Sequence, residues 1–170
     1  MAKPPMKKAV DRAKLAAEIR AAAAGRKVMN AGGLSDNRGA IHPMERILNI
    51  ARANLVHGIA HSSYIKHDAK IEGTVEAFAA RKLGKRVDIE HMYPRRESAI
   101  AVCRMVEDGA SDEALIEYAI QTGRAILLTP EQRAAVDAVP GNRSVYSADR
   151  LKKAGLTILR EAEVSAASAH

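Results

Sequence analysis

The strongest pattern in the chain lies between Pro43 and His61, where Met44, Ile47, Leu48, Ala51, Leu55 and Ile59 recur at the i, i+3, i+4, i+7 spacing of one helical face. That spacing predicts an amphipathic helix. A looser series, Met6, Val10, Leu15 and Ile19, predicts a helix over residues 6–24 that ends at Gly25, followed by a Gly-, Asn- and Asp-rich loop over residues 30–39. Further helices are expected over residues 67–83, closed by Gly84, then over 95–107, and over 112–121 with Ser111 as N-cap. Residues 86–90 and the apolar run 125–129 read as strands. Thr129 and Pro130 then provide an N-cap and a first helical residue for another helix. Pro140-Gly141-Asn142 breaks the chain, a short helix over 148–154 closes at Gly155, and residues 156–159 suit a last strand.

Composition supports this order. Hydrophobic residues make up 47% of the 170 residues, but aromatics only 3%, so the core must be built from Ala, Leu, Ile, Val and Met. That palette favours helices over a β-sandwich. The expected fold class is therefore α+β and predominantly helical, with several helices and two or three short strands. The expected organisation is a basic N-terminal helix or arm over residues 1–27, a single globular domain over 40–159 and a frayed tail over 160–170.

Cys103 is the sole cysteine, which excludes an intramolecular disulfide and a cysteine-based zinc cluster. Its neighbours Ala99, Val102 and Val106 point to a small buried hydrophobe rather than a nucleophile. No apolar run approaches the roughly 18–20 residues that span a bilayer, and charges occupy the place of a signal-peptide core. A cytoplasmic protein with no membrane partner is expected, and a homodimer is left open.

The formal charge is +7, and it is unevenly spread. Residues 1–27 carry Lys3, Lys7, Lys8, Arg12, Lys14, Arg20, Arg26 and Lys27 against only Asp11 and Glu18. A second basic stretch, Arg81, Lys82, Lys85, Arg86, Arg95, Arg96 and Arg104, brackets the step Glu90-His91-x-x-Pro94. Such clusters are the footprint expected for phosphate backbones. Lys7, Lys8, Arg12, Lys14, Arg95 and Arg96 are the candidate nucleic-acid contacts, with DNA the favoured partner.

Glu90-His91 at the end of a short strand, followed later by a strand running into a capped helix, resembles the HNH or ββα-metal endonucleases. The resemblance implies a ββα-metal-like core with a two-helix insertion between its strands. It implies that Glu90 helps to bind a divalent metal (Mg, Mn or Zn), that His91 acts as general base, and that Glu131 or Gln132 supplies the last ligand. A similar order of motifs, Glu-His-x-x-Pro, an apolar strand ending Thr-x-Glu, a Pro-Gly break and an Arg-containing helix closing on Ala-Gly, marks a group of bacterial proteins over residues 86–159. A neutral imidazole near pH 7 suits proton abstraction from water, and a hard cation suits oxygen ligands. No His follows on the last helix. His57 and His61, spaced i, i+4 off the apolar stripe, are therefore further candidate ligands, alongside a reading in which they are ordinary polar-face histidines.

Two functions follow as expectations. One is a metal-dependent nuclease or nuclease-like DNA-processing protein. The other is a non-catalytic nucleic-acid-binding or packaging protein that acts through its basic N-terminal arm. A nucleotide-hydrolysing enzyme is disfavoured, because Ala31-Gly32-Gly33 lacks the Lys-Ser/Thr of a phosphate loop.

Overall fold

The computed structural model describes residues 10–59, 61–140, 148–161 and 163. Asp11 caps the first helix by accepting a bond from the Lys14 N–H at 3.0 Å, and α1 spans Arg12–Ala31. The expected stop at Gly25 is absent. An interior glycine costs a helix about 1 kcal/mol, and two local features offset this. Four alanines precede it, and Arg26 is anchored to Asp36 by bonds of 2.9 and 2.8 Å. Residues 6–9 of the expected helix lie outside the described residues.

The second helix, α2, spans His42–Leu55 and stops short of His61. Gly58 takes a positive φ of 63° that turns the chain back, with its N–H donating to the Asn54 carbonyl. Two later helices, α4 (Arg95–Glu107) and α5 (Asp112–Gln121), fall where the pattern placed them. Their boundary is fixed locally, by Gly109 at φ 78° and by the Ser111 hydroxyl, which accepts from the Ala114 N–H at 3.2 Å.

These four helices form one compact unit, made of the described residues from 10 to 62 together with Arg95–Gly123. Its core joins Leu15 and Ile19 of α1, Met44 and Leu48 of α2, Val102 and Cys103 of α4, and Leu115 and Ile116 of α5. Buried Ala16, Ala23, Ala51, Ala99 and Ala119 let the helices approach closely. The basic first helix is thus a core element of this unit and not a detached arm.

The second unit comprises Ser63–Pro94 and the chain from Arg124 onward. In place of the single helix expected over 67–83, it has the residues from Ser63 of a 3-10 turn (Ser62–His67), a two-residue strand β1 (Glu72–Gly73) and a shorter helix α3 (Val75–Lys82) capped by the Thr74 hydroxyl. A strand this short has no readable period, and Gly73 is its only steric signal. A Cβ there would meet the Leu127 carbonyl oxygen at 3.0 Å. Then follow β2 (Asp88–His91), β3 (Ala125–Leu128), α6 (Pro130–Ala138), α7 (Ala148–Lys153) and β4 (Leu159–Arg160).

The sheet order is β2-β3-β1-β4. β2 and β3 are antiparallel, β1 and β3 parallel, β1 and β4 antiparallel. Ile126 and Leu128 pack with Met92, Val136 of α6 and Leu151 of α7. The fold is a predominantly helical α+β arrangement with a small mixed sheet of four strands, one or two more than expected. The described residues divide into two compact units. Gly141 and Asn142 of the expected break, residue 162 and the tail from 164 onward lie outside the described residues.

Candidate functional site

The antiparallel register sets Glu90 opposite Ile126 and His91 opposite Ala125. Successive residues of a strand face opposite sides of the sheet. Glu90 therefore shares the face of Ile126, the one packed by α6, while His91 points to the other. The two residues expected to act as metal ligand and general base are adjacent in sequence and divergent in space.

Glu90 is buried, and its Oε2 lies 2.9 Å from Arg133 Nη1 on α6. The Arg133 guanidinium also donates to the Ile89 carbonyl at 3.0 Å and reaches Asp137 at 3.3 Å. Asp137 is in turn 3.5 Å from Arg150, a buried residue of α7 that donates to the Val136 carbonyl at 2.8 Å. Two carboxylates and two guanidiniums thus form a charge-balanced chain that ties β2, α6 and α7 together.

Gln132 occupies the third position of α6 and completes a capping box with Thr129. Its Oε1 accepts from the Thr129 N–H at 3.0 Å and from the Thr74 hydroxyl at 2.7 Å, and its Nε2 donates to Glu76 at 3.0 Å. Both lone pairs of the amide oxygen are engaged. Glu131, one residue earlier, is exposed, and a hydrogen bond from Thr129 holds its carboxyl below the usual range.

The donor set expected for a divalent ion does not fit one in this arrangement. Glu90 is neutralised by Arg133, Gln132 is occupied by the cap, and His91 faces away from Glu90. His57 and His61 belong to the helical unit, whereas Glu90, Glu131 and Gln132 belong to the sheet unit. No three His, Cys, Asp or Glu side chains among the described residues form a group able to hold a metal ion.

The nucleic-acid candidates also have definite places. Lys7 and Lys8 lie outside the described residues. Arg12 pairs with Glu113 at 3.1 Å, Arg20 with Asp112 at 2.7 Å and Arg26 with Asp36 at 2.8 Å, so these arginines of α1 are neutralised within the helical unit. Lys14 is exposed on α1, Arg95 is exposed at the start of α4, and Arg96 bonds to Asn37. Cys103 is buried, and burial pushes its thiol pKa up, which keeps it a thiol.

The sheet unit carries a cleft of about 390 Å³ lined by Lys66, His67, Arg81, Lys85 and Arg86, with Gly84 and Val87. Helix α3 ends there because Gly84 adopts φ 69° and the Lys85 N–H returns to the Ala80 carbonyl, which projects Lys85 and Arg86 outward. Arg81 forms the wall. It donates to the carbonyls of Lys66 and Asp68 at 2.9 and 3.2 Å, stacks 5.4 Å from the Phe78 ring centroid and pairs with Glu161 at 2.6 Å.

Nearby acids offset only part of this charge. Glu161 serves Arg81 and, at 3.9 Å, Lys82, and Asp88 chelates Arg86. Lys66 and Lys85 have no acidic partner among the described residues. Burial first, then the charges of Lys66 and Arg81, hold the His67 pKa below its ordinary value, so the ring is neutral at pH 7.

The sequence flagged Arg81, Lys82, Lys85 and Arg86 as a basic stretch but left out Lys66. Fifteen residues separate Lys66 from Arg81, and only the tertiary fold brings the 3-10 turn onto the end of α3. No helix among the described residues is long and apolar enough to cross a membrane. No protein-family model, no curated protein and no solved structure matches the chain.

Proposed function

We propose that this protein binds the phosphate backbone of nucleic acid through the basic cleft of the sheet unit, without hydrolysing it. The observation that carries this reading is the lining itself, in which Lys66, Arg81, Lys85 and Arg86 surround a neutral His67 and, among the described residues, no carboxylate lines the cleft. Cations on the last turn of a helix also complement its dipole, which accounts for Arg81 and Lys82. Lys66 and Arg86 are off the helix, and that explanation does not reach them. Two lysines with no acidic partner among the described residues, beside a cleft of this size, suit repeated anionic groups.

The reading departs from both expectations. α1 contributes Leu15, Ile19 and Ala23 to a core while its Arg12, Arg20 and Arg26 pair with acids, and Glu90 and Gln132 are engaged by Arg133 and by the α6 cap, which favours the cleft as the binding surface. Deleting residues 1–27 is therefore the wrong test, because it removes Leu15, Ile19 and Ala23 from a core. The informative variant is Lys66→Glu/Lys85→Glu/Arg86→Glu, which changes exposed or half-exposed side chains only.

Fluorescence anisotropy with a short DNA duplex is expected to show affinity that falls steeply with salt and is largely lost in the triple variant. Retained binding in that variant refutes the proposal. Plasmid incubated with Mg²⁺ or Mn²⁺ is expected to stay intact. Nicking by the wild type that His91→Ala abolishes would replace binding with hydrolysis as the function.

A further inference from the structure

The 3-10 turn that brings Lys66 to the basic cleft also carries an aromatic ring. Such a turn has about three residues per revolution, so side chains three apart eclipse one another. Tyr64 and His67 accordingly lie on one face of the turn, with ring centroids 6.4 Å apart and planes tilted by 46°. His67 lines the cleft, which puts the Tyr64 ring at its margin.

Tyr64 is unlike the other rings of the chain. Phe78 is buried, and Tyr93 and Tyr118 are half-buried against cores. Tyr64 is 41% exposed, and among the described residues no other aromatic side chain is exposed. A surface ring alone is ordinary. Here its neighbours give it a setting, because Lys66 and His67 of the same turn both line the cleft, so one turn of chain supplies a cation and an exposed ring.

The surroundings hold this arrangement in place. Ile65, between Tyr64 and Lys66, is buried, and the Lys66 carbonyl accepts from Arg81 at 2.9 Å, which pins the turn to the end of α3. A ring fixed in advance loses little freedom when a ligand covers it.

A ring beside a row of cations distinguishes between forms of nucleic acid. In a duplex the bases stack on one another inside the helix, and a side chain at the backbone meets phosphate and sugar. In a single strand the bases splay out and stack on aromatic faces while the backbone follows the positive groove.

We infer that the cleft takes a single strand of nucleic acid, with its phosphates on Lys66, Lys85 and Arg86 and a base stacked on Tyr64 beside His67. The inference rests on the reading of the cleft as a phosphate-binding surface and adds to it the form of the partner. DNA and RNA strands both offer this chemistry.

Fluorescence anisotropy with three DNA probes of one length tests the inference: a single strand, the same strand carrying abasic sites in place of its bases, and a duplex. Removing the bases is expected to weaken binding by about tenfold and to leave the salt slope unchanged. Tyr64→Ala, at an exposed position, is expected to weaken binding of the base-bearing strand by about tenfold and to leave the abasic strand and the duplex as they were. Tyr64→Phe is expected to retain the affinity and Tyr64→Leu to lose it, because stacking needs a π-face and not only apolar area. RNA of the same sequence distinguishes the two sources, the tighter strand being the one the site takes.

Equal affinity for the base-bearing and abasic strands overturns the inference, as does a Tyr64→Ala variant that weakens all three probes alike or none of them. Either result, with duplex binding still lost in Lys66→Glu/Lys85→Glu/Arg86→Glu, leaves the phosphate-binding cleft standing. Retention of every probe by that triple variant overturns the cleft and the inference together.

Discussion

Arg133 holds the carboxylate of Glu90 at 2.9 Å on the buried face of β2, where the Glu90 side chain is only 8% exposed. A carboxylate in that position depends on its partner, since removing one member of a buried pair leaves an uncompensated charge. Arg133→Met is expected to lower stability by about 2 kcal/mol, less than for a fully buried pair because the arginine is itself 36% exposed. The double variant Arg133→Met/Glu90→Met is expected to recover most of that loss. Urea denaturation at pH 7 measures both, and equal losses in the single and double variants would show that the two residues are not coupled.

Gln132 offers a direct comparison of two roles for one side chain. As a cap it satisfies the Thr129 N–H and the Thr74 hydroxyl, so Gln132→Ala is expected to cost about 1 to 2 kcal/mol. That loss should be the same with and without Mg²⁺ or Mn²⁺. Thermal unfolding of the wild type and the variant, each with and without metal, settles the choice. A metal-dependent stabilisation present in the wild type and absent in the variant would restore Gln132 as a ligand.

The elements read most accurately from the sequence are those whose ends are set locally. α4, α5 and α6 begin and stop at Ser111, Gly109, Thr129 and Pro130, residues that act within one turn of the chain. α1 runs through the stop that Gly25 signals because distant Asp36 and Glu107 hold Arg26 in the helix. β1 was missed because two residues carry no period, and its place is set by pairing with Ile126 and Leu127.

The candidate site divides in the same way. Glu90 and His91 were recognised as a pair from adjacency, but a strand separates neighbours onto opposite faces. Arg133, which pairs with Glu90, is 43 positions away and carries no motif. The basic stretch after α3 was legible as charge, yet the cleft became visible only when Lys66 was brought beside it.

Electrostatics in that cleft makes a quantitative prediction about DNA. Each phosphate neutralised contributes about 0.9 to the slope of log affinity against log salt. Losing three contacts in Lys66→Glu/Lys85→Glu/Arg86→Glu should therefore flatten that slope by about 2 to 3. Anisotropy titrations across a salt series give the slope directly, and an unchanged slope would place the phosphates elsewhere.

His67 adds a pH dependence with a defined sign. Burial, Lys66 and Arg81 hold its pKa below the ordinary value, and a bound phosphate opposes the repulsion from both cations. The complex therefore takes up a proton that the free protein does not, so affinity should rise as pH falls from 8 towards 6. Without ligand the sign reverses for folding. The unfolded chain binds the proton more readily, so stability contributed by neutral His67 is present above the ordinary histidine pKa and is lost as pH falls below it. Affinity measured for wild type and His67→Gln separates the two, the variant being expected to lose the added pH dependence of binding.

Arg52 yields the prediction most at odds with intuition about arginine as a stabilising residue. Arg52 is 1% exposed, and its guanidinium makes one hydrogen bond among the described residues, Nη2 to the Thr122 hydroxyl at 2.7 Å. Thr122 separately donates to the Tyr118 carbonyl at 2.8 Å and keeps that bond if Arg52 is replaced. A buried charge with two orphaned nitrogens opposes folding, and an unbranched apolar side chain of similar length removes the charge while filling the space. Arg52→Met is therefore expected to raise stability by about 1 to 3 kcal/mol. Arg52→Ala is expected to gain less, or to lose, because it leaves a cavity beside Val56 and Gly123. The lowered pKa sets where the effect is measured, since the charged form persists below pH 10 and its penalty fades only as pH rises through that value. Urea denaturation at pH 7 thus reads the full effect, and a Met variant less stable than the wild type would show that the Thr122 bond outweighs the buried charge.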